Sequence, residues 1–122
     1  VPFPQEKTMP KAGDVVFVRF PFAEKVADRL HPALVLDDLG DRRFVLAYGS
    51  SKHVDVSSPR YNEVIVSSAE DIAGCGLCMR TRFDLSIRAA MFVPNRAIAG
   101  HLSDGLLPQL FRAAKYCKLL GA

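Results

Sequence analysis

Arginines crowd one stretch of this 122-residue chain: Arg80, Arg82, Arg88 and Arg96. A looser second group holds Arg42, Arg43, Lys52 and Arg60. Fixed cations at this density suit phosphate contact or, more blandly, a solvated basic face. Asp84 stands two residues after Arg82, so on a strand the two share a face. Such a pair reads either as an acid–base couple or as an exposed ion pair of small value. His31 titrates near neutrality and can give or take a proton. Ser50 and Ser51 follow Gly49, and their hydroxyls either donate to a phosphate oxygen or make a turn. Together these residue types offer a proton carrier, hydroxyls and cations, without by themselves fixing a substrate.

Other chemistries find less support. Cys75 and Cys78 form a CxxC, but no βαβ context for redox work surrounds them. Zinc needs about four ligands, and Cys117 is a lone third cysteine far along the chain. Reduced thiols of a cytoplasmic protein are the expectation, with no metal and no cofactor. His53 and His101 have no evident partner, and neither makes a triad with Cys75, Cys78 or Ser50. No glycine-rich turn joins a strand to a helix, so a phosphate loop is not expected.

The bulk properties bound the answer further. The length suits one domain, and 49% hydrophobic residues suffice for a core. Net charge is +3, which permits contact with phosphate without demanding it. No apolar run reaches the roughly 18 residues of a membrane helix. The start of the chain lacks the basic-then-apolar pattern of a signal peptide. Residues 1–12 hold three prolines, Pro2, Pro4 and Pro10, and read as a flexible arm.

The elements that must position these groups are mostly strands. Gly13-Asp14 is a turn signal before Val15–Phe20, an apolar run that reads as a buried strand ended by Pro21. Ala23–His31 reads as a loop, and Pro32 opens a strand over Ala33–Leu36. Asp37–Asp41 has turn chemistry before a third strand, Arg43–Tyr48. Glu63–Ser67 reads as the fourth, Arg82–Leu85 as the fifth and Arg88–Val93 as the sixth. Ser68–Asp71 reads as a turn or a single helical turn. Near the end, Leu106, Leu107, Leu110, Phe111, Ala114 and Cys117 make an apolar stripe at helical spacing. This helix, about residues 104–120, either starts from Ser103 as N-cap or begins at Pro108, and Gly121 suits its stop. Short strands followed by one amphipathic helix predict a mainly β protein, a small barrel or open sheet.

Gly13-Asp14-Val15-Val16-Phe17-Val18, then Pro21-Phe22, then His31-Pro32-Ala33-Leu34-Val35-Leu36, resembles the opening of the MazF/PemK toxins. Ala47–Lys52 looks like the end of the family's third strand, and Thr81–Leu85 like the strand after its central loop. The resemblance spans about Gly13 to Leu120. It implies an SH3-like barrel of the MazF/PemK (CcdB-like) type, over residues 13–122, that forms a homodimer. It implies a growth-inhibiting toxin of a toxin–antitoxin pair that cuts single-stranded RNA at chosen sequences without a metal. A cognate antitoxin would block the groove.

By the same resemblance His31, Ser50, Arg82 and Asp84 are the candidate catalytic residues. Arg29, Ser51, Lys52, Arg80 and Arg88 are candidate phosphate contacts, and Phe22 and Tyr48 candidate surfaces for unpaired bases. The family usually places arginine where this chain has His31, and threonine where it has Ser50. Histidine can act as acid or base where arginine is a fixed cation, so the site either divides its labour differently or is weakened. A barrel of the same descent that binds nucleic acid, or a protein target such as gyrase, without cutting is the alternative.

Overall fold

The computed structural model describes residues 9–21 and 29–119. Phe22 lies outside the described residues, as does most of the loop that contains it and all of the arm before Met9. Six strands form one sheet: β1 (Asp14–Val18), β2 (His31–Gly40), β3 (Arg43–Ser50), β4 (Glu63–Val66), β5 (Thr81–Phe92) and β6 (Ile98–His101). Two helices accompany them, α1 (Ala69–Gly74) and α2 (Leu107–Tyr116). The sheet order is β4-β5-β3-β2-β1-β6, and every pairing is antiparallel. The sheet curls into a half-barrel closed over by α2.

The central strands read as continuous apolar runs because both of their faces are buried. Val15, Leu34 and Ala47 face a core shared with Val64, Val66, Phe83, Leu85 and the α2 residues Leu110, Ala113 and Ala114. Val16, Val18, Ala33, Val35 and Leu46 face a second core that contains Phe20, Phe44 and Val93.

Curvature comes from bulges. Between the pairs Ala47–Arg88 and Tyr48–Asp84, three β5 residues, Leu85, Ser86 and Ile87, stand opposite nothing on β3. The Asp84 carboxylate accepts from the Ser86 N–H at 2.9 Å, which holds the bulge. Arg82–Leu85 and Arg88–Val93, expected as two strands, are therefore the halves of one bent strand. The sixth strand is instead Ile98–His101, whose Ile-Ala-Gly-His sequence carries no apolar alternation.

The β2–β3 hairpin is also tighter than expected. Strand β2 runs on to Gly40, and only Asp41 and Arg42 turn, with φ of 54° and 62°. Asp37 and Asp38 do not make that turn. Their carboxylates accept from the N–H groups of Asp38 and Gly40 at register shifts within the strand.

The helices differ from expectation at their ends. Ser68 caps α1 by accepting from the Asp71 N–H at 3.1 Å, so the segment is a full six-residue helix. Ser103 does not cap α2; its hydroxyl donates to the Asp71 carboxylate at 2.9 Å. A 3₁₀ turn over Asp104–Leu106 leads into α2, and Pro108 sits in the first turn, where its missing N–H costs nothing. The helix stops at Tyr116, with Lys118 at φ 61°, before the expected glycine. Phe111, expected in the buried stripe, is exposed, and Ala113 is buried in its place. Gln109 accepts from the Ile65 N–H at 2.9 Å and so covers the outer edge of β4.

Gly49 is where the sheet is tightest. It lies within β3 rather than ending it, and an added Cβ would meet the Pro32 carbonyl at 2.5 Å and the Phe83 ring at 2.7 Å. Replacing Gly49 by Ala is expected to destabilise the fold by about 1–3 kcal/mol, the usual cost of overpacking. A lowered urea midpoint with unchanged slope checks this, and an unchanged midpoint contradicts it.

Candidate functional site

The register gathers the candidate residues at one end of the sheet. Tyr48 pairs with Asp84 and Ala33, and Ser50 pairs with Arg82. Residues two apart on a strand share a face. His31 (β2), Tyr48 and Ser50 (β3), and Arg82 and Asp84 (β5) therefore project from one face of three adjacent strands. Beyond them Glu63 of β4 pairs with Asp84.

Two clefts open on this end of the sheet. The first, about 320 Å³, is lined by Arg29, His31, Tyr48, Ser50, Ser51 and Lys52, with Leu77–Met79 on its far wall. The second, about 490 Å³, is lined by His53, Asp55, Ser58, Arg60, Glu63 and Arg82. The chain segment Ser50–His53 runs between them.

His31 is half-buried. Its Nδ1 lies 3.5 Å from the Tyr48 hydroxyl, and the two rings are 5.4 Å apart. Its Nε2 is buried with no hydrogen-bond partner among the described residues. An unpartnered buried nitrogen costs free energy that a ligand group could recover. Burial, and then the nearby Arg29 cation, push the His31 pKa below its usual 6.5. The ring is therefore neutral at pH 7. The Tyr48 contact engages Nδ1, so Nε2 acts as a base only once the ring turns or a cleft wall shifts to admit a substrate to it.

Ser50 Oγ accepts from the Lys52 N–H at 3.1 Å, so it makes the turn and still lines the cleft with a hydroxyl. Arg29 and Lys52 are exposed cations on the cleft wall and take part in no ion pair among the described residues. These are the groups best placed for a phosphate.

Arg82 and Asp84 are engaged elsewhere. The Arg82 Nε–H donates to the Lys52 carbonyl at 2.9 Å, and Nη1 lies 3.3 Å from Glu63 and 3.8 Å from Asp84. Asp84 accepts from the Asn62 amide at 2.7 Å as well as from Ser86. This pair ties β5, β4 and the Ser50–Lys52 turn together, and Arg82 forms a wall of the second cleft. Arg88 turns back to the Leu85 carbonyl at 2.6 Å and lies near Cys117, away from both clefts. Arg80 is exposed in the approach to β5 and lines neither cleft.

The residues that spacing alone did not reveal are Asn62, Glu63 and Tyr48's contact with His31. All three depend on which strands are neighbours. Glu63 is buried and bonded to the Arg60 N–H at 3.2 Å and to Arg82. Among the described residues no cluster of three or more His, Cys, Asp or Glu gathers in a form that could hold a metal. No protein-family model matches this chain, and no curated protein matches it either. No helix among the described residues is long and apolar enough to cross a membrane.

The CxxC pair is split by environment. Cys75 is fully buried, and burial pushes its thiol up to about 11, with Asp71 adding to the shift. Cys78 is exposed on the cleft wall. Native protein at pH 8 is expected to react with a thiol reagent quickly at Cys78 and slowly at Cys75. Equal rates, read by mass spectrometry, would contradict the placement of Cys75.

Proposed function

We propose that this chain is a growth-inhibiting toxin of the MazF/PemK type, an SH3-like barrel that works as a homodimer in the cytoplasm. It cuts single-stranded RNA at selected sequences without a metal and is restrained by a cognate antitoxin. The observation that carries this reading is the meeting of His31, Ser50, Lys52 and Arg29 around one cleft. A titratable group, a hydroxyl and two cations that make no ion pair among the described residues are the parts that metal-free RNA cleavage calls for.

In this mechanism neutral His31 takes the proton of the RNA 2′-hydroxyl. The O2′ then attacks its own phosphorus, and the bond from phosphorus to the 5′-oxygen breaks. The leaving oxygen takes a proton from water, and the hydroxide left behind takes the proton from the His31 imidazolium, which returns the ring to its neutral form. The products end in a 2′,3′-cyclic phosphate and a 5′-hydroxyl. Lys52, Arg29 and the Ser50 hydroxyl hold the phosphoryl oxygens as charge builds on them. Arg82 is a positioning residue: it fixes the carbonyl of Lys52 and with it the turn that presents Ser50 and Lys52. Full pairing of Arg82 and Asp84 within the fold favours a second reading, in which the cleft binds RNA and does not cut it.

A cleavage assay with chelator present tests the proposal. The wild type is expected to give discrete fragments ending in cyclic phosphate, while His31→Ala gives at least about a hundredfold less, the usual scale of a lost acid or base. Fragments that persist undiminished with His31→Ala remove His31 from the chemistry. RNA binding without fragments selects the second reading.

The pH dependence supplies a separate check. A base works when deprotonated, and the pKa of His31 lies below 6.5, so the cutting rate should be level above that pH. It should fall on the acid side with a midpoint below 6.5. Folding stability follows the same sign: the unfolded chain binds more protons, so His31's contribution is full above 6.5 and declines toward the folded pKa. A midpoint well above 6.5 would contradict the assignment.

A further inference from the structure

The outer face of α2 has a composition that its packing does not require. Its buried side is Leu110, Ala113 and Ala114, which fastens it to β4. The opposite side carries Phe111, Arg112, Lys115 and Tyr116, all exposed, and Lys118 follows just past the helix end. No acidic residue occurs anywhere in α2. Tyr61, from the loop before β4, reaches this face. Its ring meets that of Tyr116 edge-to-face at 5.8 Å and 61°, and the Arg112 guanidinium lies 5.4 Å from the Tyr61 ring centre.

Tyr61 and Tyr116 are each 62% exposed, and Phe111 is 56% exposed. Tyr61 and Tyr116, two large rings in contact and open to water on one face, are more than scattered surface apolar residues explain, while Phe111 lies on the other flank of the helix, outside their groove. Tyr61, Arg112, Lys115 and Tyr116 line a shallow groove of about 410 Å³. The second cleft is adjacent in the chain, since Arg60, the residue before Tyr61, lines it.

We propose that this face of α2, with Tyr61, is a stacking platform for the unpaired bases of single-stranded RNA that extends beyond the clefts. Exposed flat rings accept any base, and cations that make no ion pair among the described residues suit a polyanion. Arg112 already stacks on Tyr61, so it can serve a base on one side and a phosphate on the other. An aliphatic seam with mixed charges would suit a helical protein partner, and α2 offers neither. The proposal rests on the reading that this chain binds RNA, but it does not need the chain to cut.

The protein supplies its own probe. It has no tryptophan and three tyrosines, Tyr48, Tyr61 and Tyr116. In a Tyr48→Phe background, all tyrosine emission comes from the platform. The test titrates this protein with a 2′-O-methyl oligoadenylate of about 12 nucleotides, a single-strand length that spans more than one cleft and whose blocked 2′-oxygen prevents cutting.

Stacking predicts that the emission is quenched as the oligonucleotide binds. Tyr61→Leu and Tyr116→Leu should each weaken binding about 5- to 150-fold, the range for a lost base stack. Tyr61→Phe should restore it. Arg112→Gln with Lys115→Gln should lower the slope of log affinity against log salt by about 1.4, or about 0.7 for each phosphate contact in a single strand.

Since Tyr61 and Tyr116 lie on the surface, these variants keep the core intact, and a circular dichroism melt verifies that. Binding that proceeds with unchanged tyrosine emission and unchanged affinity in the Leu variants overturns the platform while leaving the clefts as the RNA site. Emission that responds to protein concentration and not to oligonucleotide also overturns it and assigns the face to a second copy of the chain. Failure of the cutting assay alone leaves this result unaffected.

Discussion

A guanidinium held by two carboxylates and a backbone carbonyl sets the shape of the polar end of this protein. Arg82 sits on β5, its nearest carboxylate partner Glu63 on β4, and the carbonyl it holds belongs to Lys52 after β3. Glu63 is almost wholly buried, so removing the cation would strand a carboxylate away from water. The same interaction fixes the Ser50–His53 segment and therefore the wall between the two clefts. What is proposed about the two clefts depends on that segment keeping its place.

The half-barrel brings the other side of the site to it. Gly49 lets β2, β3 and the Phe83 ring approach more closely than any side chain would allow. That approach puts the start of β2 against the end of β3, and so His31 next to Tyr48 and Ser50. The three-residue bulge on β5 then bends the strand just after Asp84, which leaves the face of Arg82 and Asp84 open while Leu85 turns into the core. Close packing around Gly49 and the polar cluster of Arg82, Asp84 and Glu63 thus lie at the same bent end of the sheet.

Much of the fold was legible because the central strands are buried on both faces. Val15–Val18, Ala33–Leu36 and Phe44–Tyr48 are apolar runs that no loop would carry. What escaped reading was set by tertiary context. Ile98–His101 is a strand because Gly100 admits the end of α1, whose Gly74 and Cys75 an added Cβ would strike. Phe111 lies on the wet side of α2 because Ala113 fills the contact with the core. The division of Thr81–Phe92 into two strands followed from a real bulge, with Ser86 and Ile87 exposed at its centre. At the site, His31, Ser50 and Lys52 line one cleft, whereas Arg88 lies near Cys117 at the end of α2. The engagement of Arg82 by Glu63 was invisible to spacing, since 19 residues separate them and only strand order makes them neighbours.

The central claim is that single-stranded RNA lies across the clefts with His31 against it, and the three histidines can report this directly. His31 lines the first cleft, His53 the second, and His101 ends β6 outside both. The measurement is the imidazole NMR spectrum of labelled protein, recorded with and without a 2′-O-methyl oligonucleotide. The account predicts that the His31 and His53 signals move on binding, that His101 stays, and that free His31 titrates below 6.5. Bound oligonucleotide with an unmoved His31 signal would contradict it.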